Sequence, residues 1–191
     1  MQKNLFQVVL GSVLGDGHIE ELNSGSCRLE IKHALDQYEY ILWKKDLLKT
    51  LKPTLAPRGD KRANRQDTFS LRTPVDPFLK FFRKQFYKKS GKQTTFSLKY
   101  LKHINSLGFV VWYLDDGSLS KGALSIRCER ASISDKTMMA KVLTDKFGVR
   151  FKANKRGLRL TKGDTKTLLT RLKKDLSGMD LPECMSYKLD V

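Results

Sequence analysis

The chain has 191 residues, 40% of them hydrophobic, enough for one domain or two small lobes around a shared core and too apolar for a disordered basic tail. Lys and Arg number 37 against 20 Asp and Glu, a net charge of +17, and such a field draws polyanions, with nucleic acid the commonest partner. The longest apolar run, 8–15, is too short to span a bilayer and follows no signal-like succession, so no membrane partner is expected. Cys27, Cys128 and Cys184 are odd in number and form no CxxC pair. They are expected as free thiols in a reducing compartment, a prokaryotic cytoplasm or an organelle, rather than as zinc ligands or disulfides.

In chain order, an apolar helical stretch over 5–15 ends on Asp16 and Gly17. "SCRLEIKH" (26–33) alternates as a strand, with Cys27, Leu29 and Ile31 on one face and Arg28, Glu30 and Lys32 on the other. Asp36 is a candidate cap for a helix over 37–51. A basic hairpin is expected over 54–72, with "PRGDKRANRQ" at its tip, then a helix over 76–87 and a Lys/Ser/Gly/Thr-rich linker over 88–106. The same order then repeats. A helical stretch over 107–115 ends on Asp116 and Gly117, and "ALSIRCER" (123–130) alternates as a strand. Ser134 is a candidate cap for the next helix, ahead of a hairpin over 149–161 and a helix over 164–176. The chain therefore reads as a degenerate tandem repeat, 1–105 with the linker and 106–191. The first part holds 20 basic and 10 acidic residues and the second 17 and 10, so both are built for the same polyanion.

An antiparallel sheet with helices on one face leaves the other face free. That face would carry Arg28, Glu30, Lys32 and Arg72 in the first half, and Arg127, Glu129, Arg130, Lys152 and Arg159 in the second. The hairpin tips add Arg58, Lys61, Arg62 and Arg65, and then Lys155 and Arg156. A two-stranded ribbon fits the DNA major groove, where Arg and Lys read guanine. The two acids pose a separate problem. A carboxylate at a helix C-terminus faces the negative end of the macrodipole. A divalent cation shared between two such ends would compensate it, and hard oxygen ligands suit Mg²⁺, or Mn²⁺ in its place. Gly11 and Gly15 would let the two helices pack closely.

"VLGSVLGDG" (9–17) and "FVVWYLDDG" (109–117) resemble the two nine-residue motifs of single-chain LAGLIDADG homing endonucleases, and "YEYILWKKDLL", "FLKFFRKQFYKKSGK" and "MSYKL" extend the likeness over nearly the whole chain. The resemblance implies an α/β fold of the α+β type with two pseudo-symmetric αββαββα repeats. Their antiparallel sheets would form a saddle for double-stranded DNA, with the motif helices packed at the centre. It implies metal-binding acids at Asp16 and Asp116, with Gly15 and Asp115 beside them, and active-site lysines at Lys92 and Lys188. Lys88 and Lys89 stand as alternatives to Lys92. Val111 and Asp115 replace the small residues of the first motif, which leaves open whether Asp115 or Asp116 reaches the metal.

The implied activity is Mg²⁺-dependent cleavage of both strands of a long, asymmetric, pseudo-palindromic target by a monomer. The alternative is an RNA maturase that assists splicing of its host intron, with the intron RNA as partner. A DNA-binding regulator is a third reading. His18, His33 and His103 lack the paired spacing of an HNH nuclease and are set aside as ligands.

Overall fold

A computed structural model of the chain describes residues 3–58, 68–87, 98–129 and 131–190. Two helices form its centre, α1 (Lys3–Leu14) and α5 (Ser106–Asp116). Both are apolar almost all round, the pattern of helices buried on every side. Residues 107–114 of α5 are all buried, as are Val8, Val9, Leu10 and Val13 of α1. Gln7, itself buried, bridges the helix starts. Its Nε2 donates to the His103 carbonyl (2.8 Å), and its Oε1 accepts from the Asn105 amide (2.8 Å). Asn105 then caps α5 by accepting from the Gly108 amide.

Each central helix leads into an antiparallel sheet. The first contains β1 (His18–Glu21), β2 (Cys27–Ala34), β3 (Thr54–Arg58) and β4 (Thr68–Arg72), in the order β1-β2-β4-β3. The second contains β5 (Gly117–Ser120), β6 (Ala123–Arg127), β7 (Lys152–Ala153) and β8 (Gly157–Arg159), in the order β5-β6-β8-β7. Helices α2 (Tyr38–Leu47) and α3 (Pro77–Phe86) pack on the first sheet, and α6 (Ile133–Phe147) and α7 (Lys162–Asp175) on the second. The two sheets share a strand order and a pairing register. Leu29 pairs with Ile19 as Leu124 pairs with Leu119, and the amides of Leu29 and Leu124 donate to the hydroxyls of Thr73 and Thr165. The expected αββαββα order is therefore present around each motif helix.

The helix starts differ from the sequence expectation in three places. Asp36 lies within a 3₁₀ turn, and α2 starts after Gln37 with no side-chain cap. Ser132, not Ser134, caps α6, in a reciprocal capping box with Asp135. A short helix, α4 (Leu98–Leu101), stands inside the expected linker, where Tyr100 and Leu101 are buried against the core. Among the described residues, no helix is long and apolar enough to cross a membrane.

Candidate active site

The central helices meet through their motif residues. A Cβ on Gly11 would strike the Gly108 carbonyl and lie 2.8 Å from Val111 Cβ, and a Cβ on Gly15 would lie 2.5 Å from Asp115 Cβ. The two positions that lack small residues in the second motif thus sit against the glycines of the first. The contact needs one small residue per pair rather than two. Helix α1 stops at Leu14, two residues before Asp16, whereas α5 includes Asp116 as its last residue.

Asp115 points inward, with its side chain 0% exposed. One oxygen accepts from the Tyr40 hydroxyl (2.7 Å) and the Lys44 ammonium (2.6 Å), and the other from the Asp16 backbone amide (3.1 Å). Asp16 itself points outward, its side chain 44% exposed. Burial at the junction, and then the Asp115 charge, push its carboxyl up to about 6, against the pull of Lys44 and Lys188. His33 completes this side of the junction. It lies 3.9 Å from an Asp16 oxygen and 3.8 Å from an Asp115 oxygen. Its Nδ1 bonds Gln37 Oε1 (3.0 Å) and its Nε2 faces Lys44 Nζ (3.1 Å). Burial, and then Lys44, hold its pKa down at about 3, so the ring is neutral.

The other side of the junction is built differently. Lys188, buried in the last 3₁₀ turn (Glu183–Lys188), donates to the Leu114 carbonyl (2.6 Å). The Tyr113 hydroxyl donates to the Lys188 carbonyl (2.7 Å) and pins that turn. Burial lowers the Lys188 pKa, opposed by the charges of Asp115, Asp16 and Asp116. Cys128 occupies the register position of His33, four residues beyond Leu124 as His33 is beyond Leu29. Its thiol is pushed up to about 12 by burial and then by the charge of Asp116.

Asp16, Asp115, Gly15 and Lys188 therefore converge on the helix ends, and Asp116 stands there as the last residue of α5. Lys92, Lys88 and Lys89 lie outside the described residues, as do Lys61, Arg62, Arg65 and Arg130. Sequence reasoning missed Tyr40, Lys44 and His33. His33 lies beside both acids, with its ring nitrogens engaged by Gln37 and Lys44. Its signal was present, because His33 continues the inward alternation Cys27, Leu29, Ile31. Lys44 stands four residues after Tyr40 on the same helix face, and both are fully buried.

The outward faces of the sheets carry the expected charges in two styles. On the first sheet Arg28 pairs with Glu20 (2.6 Å), and Glu30 gathers Lys32 (2.8 Å), Arg72 (2.7 Å) and Arg58 (3.5 Å). Burial would raise the Glu30 carboxyl, but hydrogen bonds from Lys32 and Arg72 hold it down to about 2. On the second sheet a row runs Ser118, Ser125, Arg159, Lys152 across four strands, with Arg127 exposed nearby. Among the described residues no ion pair joins these three bases to an acid. Glu129, Lys155 and Arg156 are exposed at the same end, and the Lys155 carbonyl is held by the buried Lys136 ammonium (2.7 Å).

Residues 6–166 match the LAGLIDADG DNA endonuclease family, and the chain belongs to that family. Its architecture is similar to that of the homing endonuclease I-WcaI bound to its DNA recognition sequence. There the TM-score is 0.78 at 19% identity, covering 98% of this chain and 86% of that one. It is also similar to I-DmoI in complex with DNA and Ca, with a TM-score of 0.60 at 14% identity, covering 96% of each chain. Among curated relatives, 117 residues are 35% identical to a protein named Protein RecA from Mycolicibacterium flavescens. The matched segment is 60% of this chain and spans about a quarter (26%) of that relative.

Proposed function

We propose that the protein is a site-specific endonuclease that hydrolyses both strands of a long, asymmetric, pseudo-palindromic DNA duplex as a monomer, using Mg²⁺ or Mn²⁺. Residues 1–105 and 106–191 are its two repeats. The observation that carries this reading is the convergence of Asp16, Asp115 and Lys188 at the ends of two packed motif helices, between two sheets whose outer faces are basic. The chemistry of the donors fits a hard cation, because Asp16 presents a half-exposed carboxylate oxygen donor at the junction of the two helix ends. Asp16 and Asp116 would hold the cation, with the Gly15 and Asp115 backbone beside them. Such an ion supplies Lewis-acid charge at a scissile phosphate and acidifies water.

The protein's own groups do the rest. Asp115 fixes the Asp16 peptide at the end of α1, and Lys188 holds a positive charge where phosphorane charge would develop. The exposed Arg127, Lys152, Arg159, Lys155 and Arg156 engage backbone and base edges from the second sheet, while Arg28, Lys32, Arg58 and Arg72 do so from the first. Because the two faces differ, the two target halves differ.

The test is selection of bound duplexes from a randomised library in Ca²⁺, followed by incubation of the selected sequence with Mg²⁺. Double-strand cleavage that is lost in Asp16→Asn and in Asp116→Asn supports the reading. Tight binding with no cleavage in the unsubstituted protein overturns it in favour of a maturase or a regulator.

A further inference from the structure

His33, Asp16 and Asp115 each place a ligand-type atom within 4.8 Å of the others, an arrangement that resembles a metal site. The hydrogen bonds show that it is already filled. Lys44 Nζ lies 2.6 Å from Asp115 Oδ1 and 3.1 Å from His33 Nε2, with the Tyr40 ring 4.4 Å below it. His33 Nδ1 is bonded to Gln37 Oε1 (3.0 Å) and its Nε2 to Lys44 Nζ, so both ring nitrogens are already engaged. Asp115 accepts three hydrogen bonds and its side chain is 0% exposed.

We infer that Lys44 is a resident cation of this centre: its ammonium fills the place that Asp16, His33 and Asp115 would otherwise offer to a divalent ion, and Asp115 positions the Asp16 peptide instead of binding metal. The second half supports this by what it lacks. Gly15 stands where the second motif has Asp115, and Cys128 where the first sheet has His33. Met139, seventh residue of α6 and fully buried, stands where α2 has Lys44 as its own seventh residue. The acid, its cation and the ring between them are thus present together on one side and absent together on the other. A buried carboxylate without a counter-charge is strongly unfavourable, so Asp115 and Lys44 require each other. Lys44 is a positioning residue, because it acts on Asp16 through Asp115.

This inference deepens the proposed cleavage centre, yet its test needs no DNA. Mn²⁺ is titrated into the full-length protein and free Mn²⁺ is read by electron paramagnetic resonance. In Lys44→Met, the vacated donors are expected to bind one Mn²⁺ at least about tenfold more tightly than any site of the unsubstituted chain. Adding Asp115→Asn to Lys44→Met is expected to abolish that site. A folded Lys44→Met that binds Mn²⁺ as the unsubstituted protein does overturns the inference. So does a Lys44→Met, Asp115→Asn double variant that keeps the new site, which would place that site on other donors. Should Lys44→Met fail to fold, thermal melts decide. The double variant is expected to melt above either single one, and a double variant that melts no higher overturns the pairing. Failure of DNA cleavage would remove the functional reading and leave these outcomes unchanged.

Discussion

The two sheets share a register and differ in how their charges are partnered. On the first, each outward acid is tied to bases, Glu20 to Arg28 and Glu30 to Lys32, Arg72 and Arg58. On the second, Arg159 stands between Ser125 and Lys152 across the strands. The same contrast runs into the centre, where the first side closes on His33 and Lys44 and the second on Cys128 and Lys188. Pseudo-symmetry is therefore a property of the backbone ladder. Side chains are free to diverge wherever a change in one half is offset locally, as Gly15 offsets the bulk of Asp115.

The largest effects should come from testing whether the two acids remain equivalent despite these different surroundings. Asp16→Asn and Asp116→Asn, assayed separately on the selected duplex, should each lower the double-strand cleavage rate by about 10³-fold, the scale of losing several kcal/mol of metal-borne transition-state stabilisation. If one variant cleaves at the normal rate, the centre has a single working acid. Next in size is the helix contact. Gly15→Val should cost about 1–3 kcal/mol in urea unfolding, since even a Cβ at Gly15 lies 2.5 Å from Asp115 Cβ. Gly178, with nothing within reach of an added Cβ, is the control, and Gly178→Ala should change stability by a few tenths of a kcal/mol.

A smaller and pH-dependent asymmetry follows from His33. Its pKa is about 3 in the fold and near its ordinary value when unfolded. Between those values the unfolded chain binds the extra proton, so stability falls as pH drops below about 6.5, by roughly 1 kcal/mol per pH unit. Asp16, whose carboxyl is pushed up to about 6, takes up its proton in the fold below that pH and offsets part of the fall. Urea midpoints at pH 7, 6 and 5 should therefore decline more steeply in the unsubstituted protein than in His33→Gln. An equally steep decline in that variant would assign the effect to other groups. The smallest difference concerns the sheet faces. Arg159→Ala should weaken DNA binding and reduce the slope of log affinity against log salt by about 1. Glu30→Gln should do the reverse, because it releases Lys32, Arg58 and Arg72 toward phosphate. Fluorescence anisotropy between 50 and 200 mM salt (roughly the range in which phosphate contacts are screened) checks both.

Much of this was legible in the sequence. Period-two alternation in 26–33 and 123–130 gave the strands, the apolar runs before Asp16 and Asp116 gave the central helices, and the net charge gave the polyanion. Cap positions were less legible, since several Ser, Asp and Gln residues compete within three positions and packing selects among them. That is why Ser132 rather than Ser134 starts α6. At the site, the motif fixed Asp16, Asp115 and Asp116 as candidates but not which way each would point. Tyr40 and Lys44 are 75 and 71 residues from Asp115, and no local pattern announces a contact of that span.

The sequence by itself determined the repeat, the element order, the basic faces and the paired acids, because these follow from periodicity, composition and spacing along the chain. The tertiary structure alone decided that Asp115 turns inward to Lys44 while Asp16 faces outward. That choice rests on which helix face meets which neighbour. A buried carboxylate persists only where the fold sets a cation against it.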